Sequence, residues 1–534
     1  MKNYDVVIVG GGAGGLFAAY EFTKVNPDMK VCILEKGSRL EKRKCPIDGV
    51  KIKNCIHCQD CSITTGIGGA GAFSDGKYNI TNQFGGTLHE YIGEEQAIEL
   101  MKYVDTINMA MGGEGSKLYP AANQELKRKA LQHDLHILDA NVRHLGTEKN
   151  YEIIKNICAY LEGKVDIYYH TQVLDVQKNN DLWYVVAENG EEALAYQTPN
   201  VIIATGRSGS KWTATLCEKL GINTTNSRVD IGVRFECPAA IWEEITDQVY
   251  ESKILYRSPR TGCTCRTFCM NPKGEVVAEN TNGVVTVNGH SYEDPALHTE
   301  NTNFALLVSH HFTEPFKDSN KYGEHVAELV NMLAGGVMVQ RFGDLVANKR
   351  TTDKRLAEGF VKPTLKASPG NLALGMPKAT LDTIIDMIYA LDKIAPGTAN
   401  MDSLLYGCEL KAYNSLVEVD SNLETKYKGL FMAGDCCGVG HSLASAAAQA
   451  VHIARVIGKR TRSENTKYYC DKNNNNVVRY YNGTLEFRHP GETDWRKIGP
   501  KSNYYREIFL GEGNNCLIPI EEDQLSSTTH HLTD

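Results

Sequence analysis

Residues 5–15 read Asp-Val-Val-Ile-Val-Gly-Gly-Gly-Ala-Gly-Gly, and this stretch decides the fold. The β-branched run before Gly10 predicts a buried parallel strand, and the alanine-rich run that follows predicts a helix to about Val25. Between them, Gly10, Gly12 and Gly15 match the Gly-x-Gly-x-x-Gly fingerprint of dinucleotide binding. Gly10 permits the tight turn, Gly12 lets a pyrophosphate approach the backbone, and Gly15 allows close helix packing, while the helix amides face the anion.

The sequence has a carboxylate, Glu35, at the position where dinucleotide-binding proteins bind the ribose. A second predicted strand, Lys30 to Glu35, follows the helix. Glu35 comes roughly 20 residues after the fingerprint, where a carboxylate accepts hydrogen bonds from ribose hydroxyls and would repel a 2′-phosphate. A glycine-rich turn without a ligand is the alternative. The fingerprint by itself does not distinguish FAD from NAD.

The composition is that of an ordinary soluble globular protein. The chain has 534 residues, 57 Lys and Arg against 65 Asp and Glu, a net charge of −8, and 42% hydrophobic residues. The acidic balance, without a long basic run, argues against nucleic acid or an anionic membrane as the main partner. The apolar run at the N-terminus is far shorter than the roughly 20 residues of a membrane span, and we expect a cytoplasmic protein.

The pattern along the chain predicts an α/β protein with three parts. These are a doubly wound, Rossmann-like domain, an inserted α+β domain and a small C-terminal extension. Buried-strand character at Val201 to Ala204 returns at Gly429 in Gly-Leu-Phe-Met-Ala-Gly-Asp, and a helix rich in small residues follows from Ser442 to about Ile457. We therefore assign residues 1–209 and 405–462 to the dinucleotide domain, 210–404 to the inserted substrate or cap domain, and 463–534 to an extension of unknown role.

Two of these segments narrow the cofactor to FAD. Val201 to Gly206 and Gly429 to Asp435 resemble the two further flavoprotein motifs of the glutathione reductase-like FAD superfamily. That resemblance implies that Asp435 binds a ribityl hydroxyl, and that the helix starting near His441 and Ser442 points its positive end at the flavin pyrimidine. A positive helix end stabilises the negative charge of reduced flavin. A buried strand end and a plain helix cap are the alternatives.

Further segments narrow the resemblance. They are Cys61 to Lys77, Val142 to Thr147, Asp230 to Arg234, Arg266 to Cys269, Asn303 to Leu307 and Gln340 to Asp344. Over about residues 1–460 the chain resembles a family of bacterial FAD-dependent dehydrogenases that is mostly labelled uncharacterised. The resemblance implies FAD and a redox reaction without naming a substrate. One departure is Gln449, near where relatives often carry glycine.

The fingerprint and the resemblance together give a predicted set of FAD contacts. In related flavoproteins, the segment matching Gly68 to Gly71 passes beside the flavin ring, where small residues let the backbone approach. The predicted contacts are Gly10, Gly12, Ala13, Gly14, Gly15, Glu35, Lys36, Gly68, Gly69, Ala70, Gly71, Val173, Thr205, Gly206, Gly434, Asp435, Ser442 and Leu443.

Sixteen cysteines in a long chain without a secretion signal are better explained as reduced thiols, metal ligands or redox groups than as disulfides. Cys45, Cys55, Cys58 and Cys61 include a Cys-x-x-Cys-x-x-Cys run that resembles an iron–sulfur ligand set. We favour thiols over a cluster or a structural zinc, because the fourth cysteine precedes the other three. A second set forms either a thiol relay near the flavin or small buried apolar residues: Cys263, Cys265, Cys269, Cys436 and Cys437.

His441 is the candidate catalytic residue, because its position in the motif is beside the flavin and imidazole titrates near neutral pH. A helix-capping histidine is the alternative. Asp75 and Lys77 are either polar site residues or part of a surface turn. Arg266 either binds a substrate carboxylate or forms an internal ion pair.

We therefore predict an FAD-dependent oxidoreductase that passes electrons between a donor such as NAD(P)H and an unidentified acceptor. No second strand, fingerprint and helix unit is present in the sequence, so NAD(P)H as donor would bind transiently at the flavin face. The predicted partners are a small-molecule redox substrate and, as a further option, a protein that exchanges electrons. The alternative function is a flavin- and cysteine-based redox sensor or an electron-transfer module for a protein partner.

Overall fold

A computed structural model describes residues 1–46, 58, 60–120, 123–249, 252–281, 283–292, 295–312, 316, 318–481, 484–490, 492–499, 502–510 and 516–520. Cys55 lies outside these ranges. The chain divides into two compact units, of which the first comprises Met1–Glu21 with Met29–Ile453 and the second Phe22–Asp28 with the chain from Ala454 onward. In the described ranges, no helix combines the length and apolar character that a membrane crossing requires.

A parallel sheet organises the start of the first unit. Among the described residues it has five strands, in the spatial order Leu430–Met432, Asn200–Ile203, Val6–Val9, Val31–Leu34 and Asp166–Tyr168. All neighbouring strands are parallel. Their near-continuous burial explains the apolar runs in the sequence, because helices or loops cover both faces of such a sheet. The predicted α/β class with a doubly wound parallel sheet is confirmed.

Two smaller sheets and several helices accompany the parallel sheet. A meander joins Lys2–Asn3, Gln172–Asn179, Leu182–Asn189 and Glu192–Thr198, and a further sheet joins Lys77–Ile80, Leu118–Pro120 and Asn141–His144. The first helix spans Ala13–Val25, as predicted, and the terminal helix spans Leu443–Asn465, one residue later and several residues longer than predicted. The other helices here are Leu88–Ile92, Glu94–Asn108, Gln124–Leu131, Thr147–Leu161 and Ser210–Leu220.

A mixed sheet forms the second part of the first unit. Its eight described strands are, in spatial order, Ser368–Pro369, Met338–Arg341, Leu404–Ala412, Val229–Pro238, Asn301–His310, Thr264–Asn271, Ile254–Arg257 and Leu135–Ile137. The sequence-based boundary placed residues from 405 onward in the dinucleotide domain. Strand Leu404–Ala412 pairs instead with Val229–Pro238 inside this mixed sheet. Two hairpin or bridging pairs complete the strands of the unit: Glu275–Thr281 with Val284–His290, and Thr224–Thr225 with Leu416–Val417.

The two faces of the mixed sheet differ in chemistry because side chains alternate along a strand. On strand Val229–Pro238, Val229, Ile231, Val233 and Phe235 lie in one apolar core. The intervening positions carry Asp230, Gly232, Arg234 and Glu236 on the other face. The helices packed around this core or nearby are Glu243–Thr246, Ser319–Ala334, Phe342–Val346, Asp353–Glu358 and Lys378–Leu391.

The second compact unit contains its own antiparallel sheet. Its described strands, in spatial order, are Arg496–Lys497, Thr484–Arg488, Val477–Tyr481, Lys467–Asp471 and Leu517–Ile520. The Tyr504 hydroxyl, on helix Asn503–Leu510, donates to a carboxylate oxygen of Asp471 at 2.6 Å and so ties the helix to the sheet.

Candidate functional site

The fingerprint loop lies against the second glycine-rich turn. The amide of Gly68 donates to the carbonyl oxygen of Gly11 at 2.7 Å. A Cβ added at Gly15 would collide with the carbonyl oxygen of Gly10, so the close contact between helix and turn requires glycine there. The turn Gly69–Phe73 is a short 3₁₀ helix, and Gly69 itself has a φ of 58°, which favours glycine.

The space beside Gly12 fits a pyrophosphate. A Cβ at Gly12 would have only the Cα of Gly69 within 4 Å, at 3.9 Å, and the φ of Gly12 is one that any residue adopts. The protein itself therefore does not require glycine at this position. Since the first-turn amides of a helix have no intrahelical acceptor, an anion beside Gly12 would receive their hydrogen bonds. The donor set and the open space both suit a dinucleotide phosphate.

Glu35 is buried and holds three turns together. Its Oε2 accepts from the Gly11 amide at 2.7 Å, and its Oε1 accepts from the amides of Gly37 at 2.8 Å and Gly66 at 3.0 Å. A carboxylate offers about four lone-pair sites, so one remains for a ribose hydroxyl. The ribose contact of Glu35 stays a prediction. The structure adds a second role for Glu35, which is to hold the turns at Gly11, Gly37 and Gly66 together.

Arg43 organises the second glycine-rich turn and was missed by sequence reasoning. Its guanidinium is buried and donates to five carbonyl oxygens, those of Ser62, Ile63, Gly66, Ile67 and Gly69. Burial lowers the pKa of Arg43, while the nearby charge of Glu35 opposes this shift. No local pattern could have revealed this role, because the acceptors are backbone atoms about 20 residues further along the chain.

The start of the terminal helix faces both glycine turns. Ser442 caps this helix, since its Oγ accepts from the amide of Ser445 at 3.2 Å. A Cβ at Gly71 would lie 2.7 Å from a methyl carbon of Leu443, and a Cβ at Gly434 would lie 3.4 Å from that of Ala446. The predicted residues of the first, second and last motifs are thus brought together at one place.

Gln449, the departure from the family pattern, supports the loop before the terminal helix. Its side chain is fully buried, its Oε1 accepts from the amide of Gly434 at 2.8 Å, and its amide nitrogen donates to the Ser445 hydroxyl at 3.1 Å. The longer side chain therefore fills the space under this loop and satisfies a buried backbone donor.

Asp435 and His441 form a hydrogen-bonded pair. The Asp435 carboxylate accepts from His441 Nδ1 at 2.9 Å and from Arg207 Nε at 3.0 Å. Burial alone would raise the pKa of Asp435, but the hydrogen bond from His441 and the charge of Arg207 outweigh it and lower the pKa. An ionised Asp435 fixes the proton on His441 Nδ1 and leaves Nε2 as the reactive nitrogen. The His441 side chain therefore pairs with Asp435, and Ser442 is the residue that caps the helix.

The remaining predicted residues lie apart from this arrangement or add little to it. Lys36 pairs with Asp60 at 2.6 Å, and both side chains are substantially exposed. Lys77, the first residue of strand Lys77–Ile80, pairs with Asp75 at 2.7 Å; the Lys77 side chain is mostly buried and that of Asp75 is exposed. Val173 is buried in the meander opposite Ala187. Three further predicted FAD contacts are Ala70, Thr205 and Gly206. Ala70 is exposed, the Thr205 hydroxyl lies 3.2 Å from that of Thr213, and Gly206 has a φ of 61°.

The cysteines divide into exposed and buried groups. Cys45, Cys58 and Cys61 are exposed, and in the described part of the chain no group of three His, Cys, Asp or Glu side chains is arranged to hold a metal ion. Cys436 and Cys437 are buried, and burial raises the pKa of both thiols. Cys265 is also buried, whereas Cys269 is exposed. The buried thiols stay protonated at neutral pH, which does not favour a relay through them.

The polar face of the mixed sheet reaches His441 through Tyr413. The rings of Tyr413 and His441 meet edge to face with centroids 4.9 Å apart. The Tyr413 hydroxyl donates to Asp230 Oδ2 at 2.6 Å, and burial together with Asp230 raises the pKa of Tyr413. Arg228 and Arg266 each lie 3.7 Å from an Asp230 oxygen. Arg266, predicted either to bind a substrate or to form an internal ion pair, is 9% exposed and already faces Asp230.

Lys411 completes this face and was also missed by sequence reasoning. It lies two residues before Tyr413 and directly opposite Asp230 in the strand pairing. Its ammonium is 4.5 Å from the ring centroid of Phe268 and 5.7 Å from that of Tyr413. Burial lowers the pKa of Lys411 to about 8, with Lys253, Arg266 and Arg207 adding to the shift and Cys269 opposing it. We call Arg228, Arg266 and Lys411 the cationic cluster.

Family comparisons agree with this site. Residues 231–412 match the family model described as FAD-dependent protein, C-terminal domain-like, and residues 1–40 match the Thi4 family model. The first match covers most of the mixed sheet, and the second covers the fingerprint loop and Glu35. No curated protein matches the chain.

Several solved structures are similar to the chain at low identity. A geranylgeranyl bacteriochlorophyll reductase-like protein from Thermoplasma acidophilum is 12% identical, with 87% of this chain and 80% of that chain covered and a TM-score of 0.39. A glycine oxidase from Geobacillus kaustophilus is 12% identical, with 86% and 93% covered and a TM-score of 0.35. A flavoprotein/dehydrogenase from Cytophaga hutchinsonii is 11% identical, with 86% and 77% covered and a TM-score of 0.34.

FAD is the cofactor of this protein. The family description names it, and the space beside Gly12, the two glycine turns and the capped terminal helix suit its binding. The match to an FAD-dependent domain also confirms the general resemblance to FAD-dependent proteins. The narrower bacterial dehydrogenase family and the individual contacts with FAD stay predictions.

Proposed function

We propose that the protein is an FAD-dependent oxidoreductase that acts on a small molecule bound between the terminal helix and the polar face of the mixed sheet. The observation that carries the proposal is the contact between His441, which follows the last FAD motif, and Tyr413, which follows strand Leu404–Ala412 of that sheet. This contact joins the predicted cofactor site to the charged side chains on the polar face of the mixed sheet. FAD, when bound, supplies the transfer of a hydride or of electrons between a donor and an acceptor.

The residues of the chain position the cofactor. The amides at the start of the first helix would bind its pyrophosphate, with Gly12 and Gly69 leaving the space. Asp435 would accept a ribityl hydroxyl through Oδ2, which has one lone pair beyond the bond from Arg207, whereas Oδ1 already accepts from His441 and Asn414. The positive end of the terminal helix would favour the negative charge of the reduced form.

His441 would hold and deliver the proton. Its Nδ1 is bound to Asp435, so its Nε2 would exchange a proton with a substrate atom within hydrogen-bond reach. The Asp435 carboxylate would hold the imidazole ring in one orientation, as a carboxylate partner does in other acid–base pairs. NAD(P)H would serve as a donor that binds at the flavin face and leaves.

The oxidoreductase is favoured over the sensor or electron-transfer alternative. A thiol-based sensor needs low-pKa, accessible cysteines beside the flavin. Cys436 and Cys437, the cysteines next to the last motif, are buried and their pKa values are raised. The aromatic and charged side chains around His441 suit a small-molecule site better.

Flavin half-reactions test the proposal. Protein purified without oxygen should contain one FAD, be reduced by NADH or NADPH, and lack stoichiometric iron and labile sulfide. His441→Ala should keep its FAD and slow reoxidation by an acceptor by about 100-fold, the usual contribution of a general acid. His325→Ala, an exposed histidine, is the control and should react like the unmodified protein. Purified protein without flavin would overturn the proposal, and unchanged half-reactions in His441→Ala would remove the proton-transfer role.

A further inference from the structure

Among the described residues, the cationic cluster near His441 has more positive charges than nearby carboxylates. Farther along the same strand pair, Arg234 is matched by Glu409, with two hydrogen bonds of 2.8 Å and full burial of the arginine. The cationic cluster has no such match. Among the described residues, Asp230 is the carboxylate within 4 Å of the two arginines, at 3.7 Å from each guanidinium. Both guanidinium groups also donate to the Tyr413 hydroxyl at 3.5 Å, and Lys411 interacts with the charge of Glu409, which Arg234 already pairs.

Asp230 is already occupied by hydroxyl groups. Ser309 donates to its Oδ1 at 2.6 Å and Tyr413 donates to its Oδ2 at 2.6 Å. Asp230 is also completely buried. Both oxygens are thus held by short bonds, and the guanidinium groups of Arg228 and Arg266 remain beyond hydrogen-bonding distance.

The side-chain ammonium of Lys411 forms neither a hydrogen bond nor an ion pair with any described residue. Its ammonium is instead supported by the ring of Phe268, which also has the guanidinium of Arg266 at 4.0 Å and the Lys253 ammonium at 5.4 Å. Cation–ring contacts offset part of the cost of burying positive charge, but they do not neutralise it. By surface area the whole Lys411 residue is partly buried and not fully enclosed.

Excess positive charge in a partly buried site favours an anionic ligand. The attraction between the anion and the cations offsets the cost of burying these charges, which the protein's own carboxylates offset only in part. Burial and the neighbouring cations lower the pKa of Lys411 because they disfavour its charged form. A bound anion would favour the charged form and raise this pKa. The position is also suitable, because Tyr413 lies between the cationic cluster and the His441 ring.

Resting on the proposed function, we infer that the substrate carries an oxyanionic group, a carboxylate or a phosphate, which binds Lys411 together with Arg228 and Arg266. The cationic cluster would hold this group while the reacting part of the substrate extends past Tyr413 to His441 and the flavin. Asp230 holds Arg228 and Arg266 in place beside the ligand, and Lys411 supplies the third positive charge.

Anion binding to the oxidised holoenzyme tests this inference without turnover. Acetate, succinate, benzoate and inorganic phosphate are titrated in turn at low ionic strength, and the change in flavin absorbance and the heat of binding are recorded. At least one of these anions should bind and perturb the flavin spectrum. Lys411→Gln should weaken its binding by at least about tenfold, because it removes a partly buried positive charge from an ion pair.

Two further variants separate the role of Lys411 from general damage. Lys411→Arg keeps the charge and should retain most of the binding, whereas Lys366→Gln removes an exposed lysine of the same domain and should change nothing. Binding to carboxylates only would identify a carboxylate substrate, and binding to phosphate only would identify a phosphate group; each outcome supports the inference. Equal anion affinity in Lys411→Gln and the unmodified protein, or no binding of any anion, would overturn it.

The proposed function fails by a different measurement. FAD content and reduction by dithionite do not involve the cationic cluster, so they should be the same in Lys411→Gln as in the unmodified protein. A holoenzyme that keeps reducible FAD but binds no anion overturns the inference alone. A protein without flavin overturns the proposed function, whatever the anion titrations give.

Discussion

At the scale of single residues, the missing Cβ of certain glycines and the side chain of one arginine determine whether FAD can bind. Gly12 has room for a Cβ in the protein alone, whereas Gly15 and Gly10 are fixed by backbone contacts. This difference separates a glycine needed for the ligand from glycines needed for the fold. Arg43 has the opposite character, since its long side chain is buried and fully used by carbonyl oxygens.

Gly12→Val should abolish FAD retention while leaving the fold intact. The added side chain would occupy the pyrophosphate space beside Gly69, but the protein atoms around it leave room. Flavin absorbance of the purified variant measures occupancy, and circular dichroism checks the fold. Gly499→Val is the matched control, because a Cβ there meets no atom within 4 Å. Full occupancy in Gly12→Val would contradict the placement of the pyrophosphate.

Arg43→Lys should weaken FAD retention by about tenfold or more. A lysine offers three donors on a single nitrogen and cannot span the carbonyl groups that Arg43 joins, so at least one or two hydrogen bonds of about 1 kcal/mol each are lost. Flavin remaining after dialysis measures the effect. Arg39→Lys, at an exposed position nearby, should behave like the unmodified protein. If both variants retain FAD equally, Arg43 does not control the glycine turn.

At the scale of elements, the terminal helix depends on its first residues. Its start combines a serine cap, a leucine against Gly71 and a glutamine that binds the preceding loop. The sequence predicted this helix from its small residues, with a start at Ser442, and the structure places Ser442 at the cap itself. The helix end could not be predicted well, because the residues after Ile457 are polar and lack a strong stop signal.

Ser442→Ala should destabilise the start of this helix by about 1 kcal/mol, the usual value of a serine cap. The thermal release of flavin, followed by fluorescence, should therefore occur at a lower temperature. Ser442→Thr keeps a capping oxygen and should recover most of the loss. Thr352→Ala removes the cap of helix Asp353–Glu358 and should leave flavin release unchanged. A Ser442→Ala protein that releases flavin like the unmodified one would show that the cap contributes nothing.

At the scale of the whole molecule, the site is made where a parallel sheet and a mixed sheet supply groups to one place. Asp435 and His441 follow a strand of the first sheet. Lys411 lies near the end of strand Leu404–Ala412 of the second sheet, and Tyr413 comes directly after that strand. Strand pairing sets the chemistry of the second group, because Asp230 lies opposite both Ser309 and Lys411. A register shift by one residue would turn these side chains to the apolar core.

Anion binding should weaken as the pH rises through about 8, the pKa of Lys411 in the absence of ligand. Below that pH the ammonium is charged and attracts the anion, and above it the charge is lost, so affinity falls by up to tenfold per pH unit. The groups around Lys411 are Arg266, Lys253, Arg207, Cys269 and Glu409, with Asp230 opposite it in the strand pairing and Tyr413 kept neutral by its raised pKa. Titrations between pH 6 and about 10 measure this dependence. In Lys411→Arg the decline near pH 8 should disappear, and its persistence there would assign it to another group.

The sequence by itself determined the features that depend on neighbours along the chain. Strand and helix periodicity, the glycine fingerprint and the later motifs predicted the parallel sheet, the first helix and FAD, because each is specified by residues a few positions apart. Only the tertiary structure decided the roles of Arg43, Gln449 and Lys411. Their partners lie on distant segments or on backbone atoms, and the register of the paired strands determines which charges meet. Arg266 illustrates the limit, since its sequence position left two roles open and the position of Asp230 on another strand showed its ion pair.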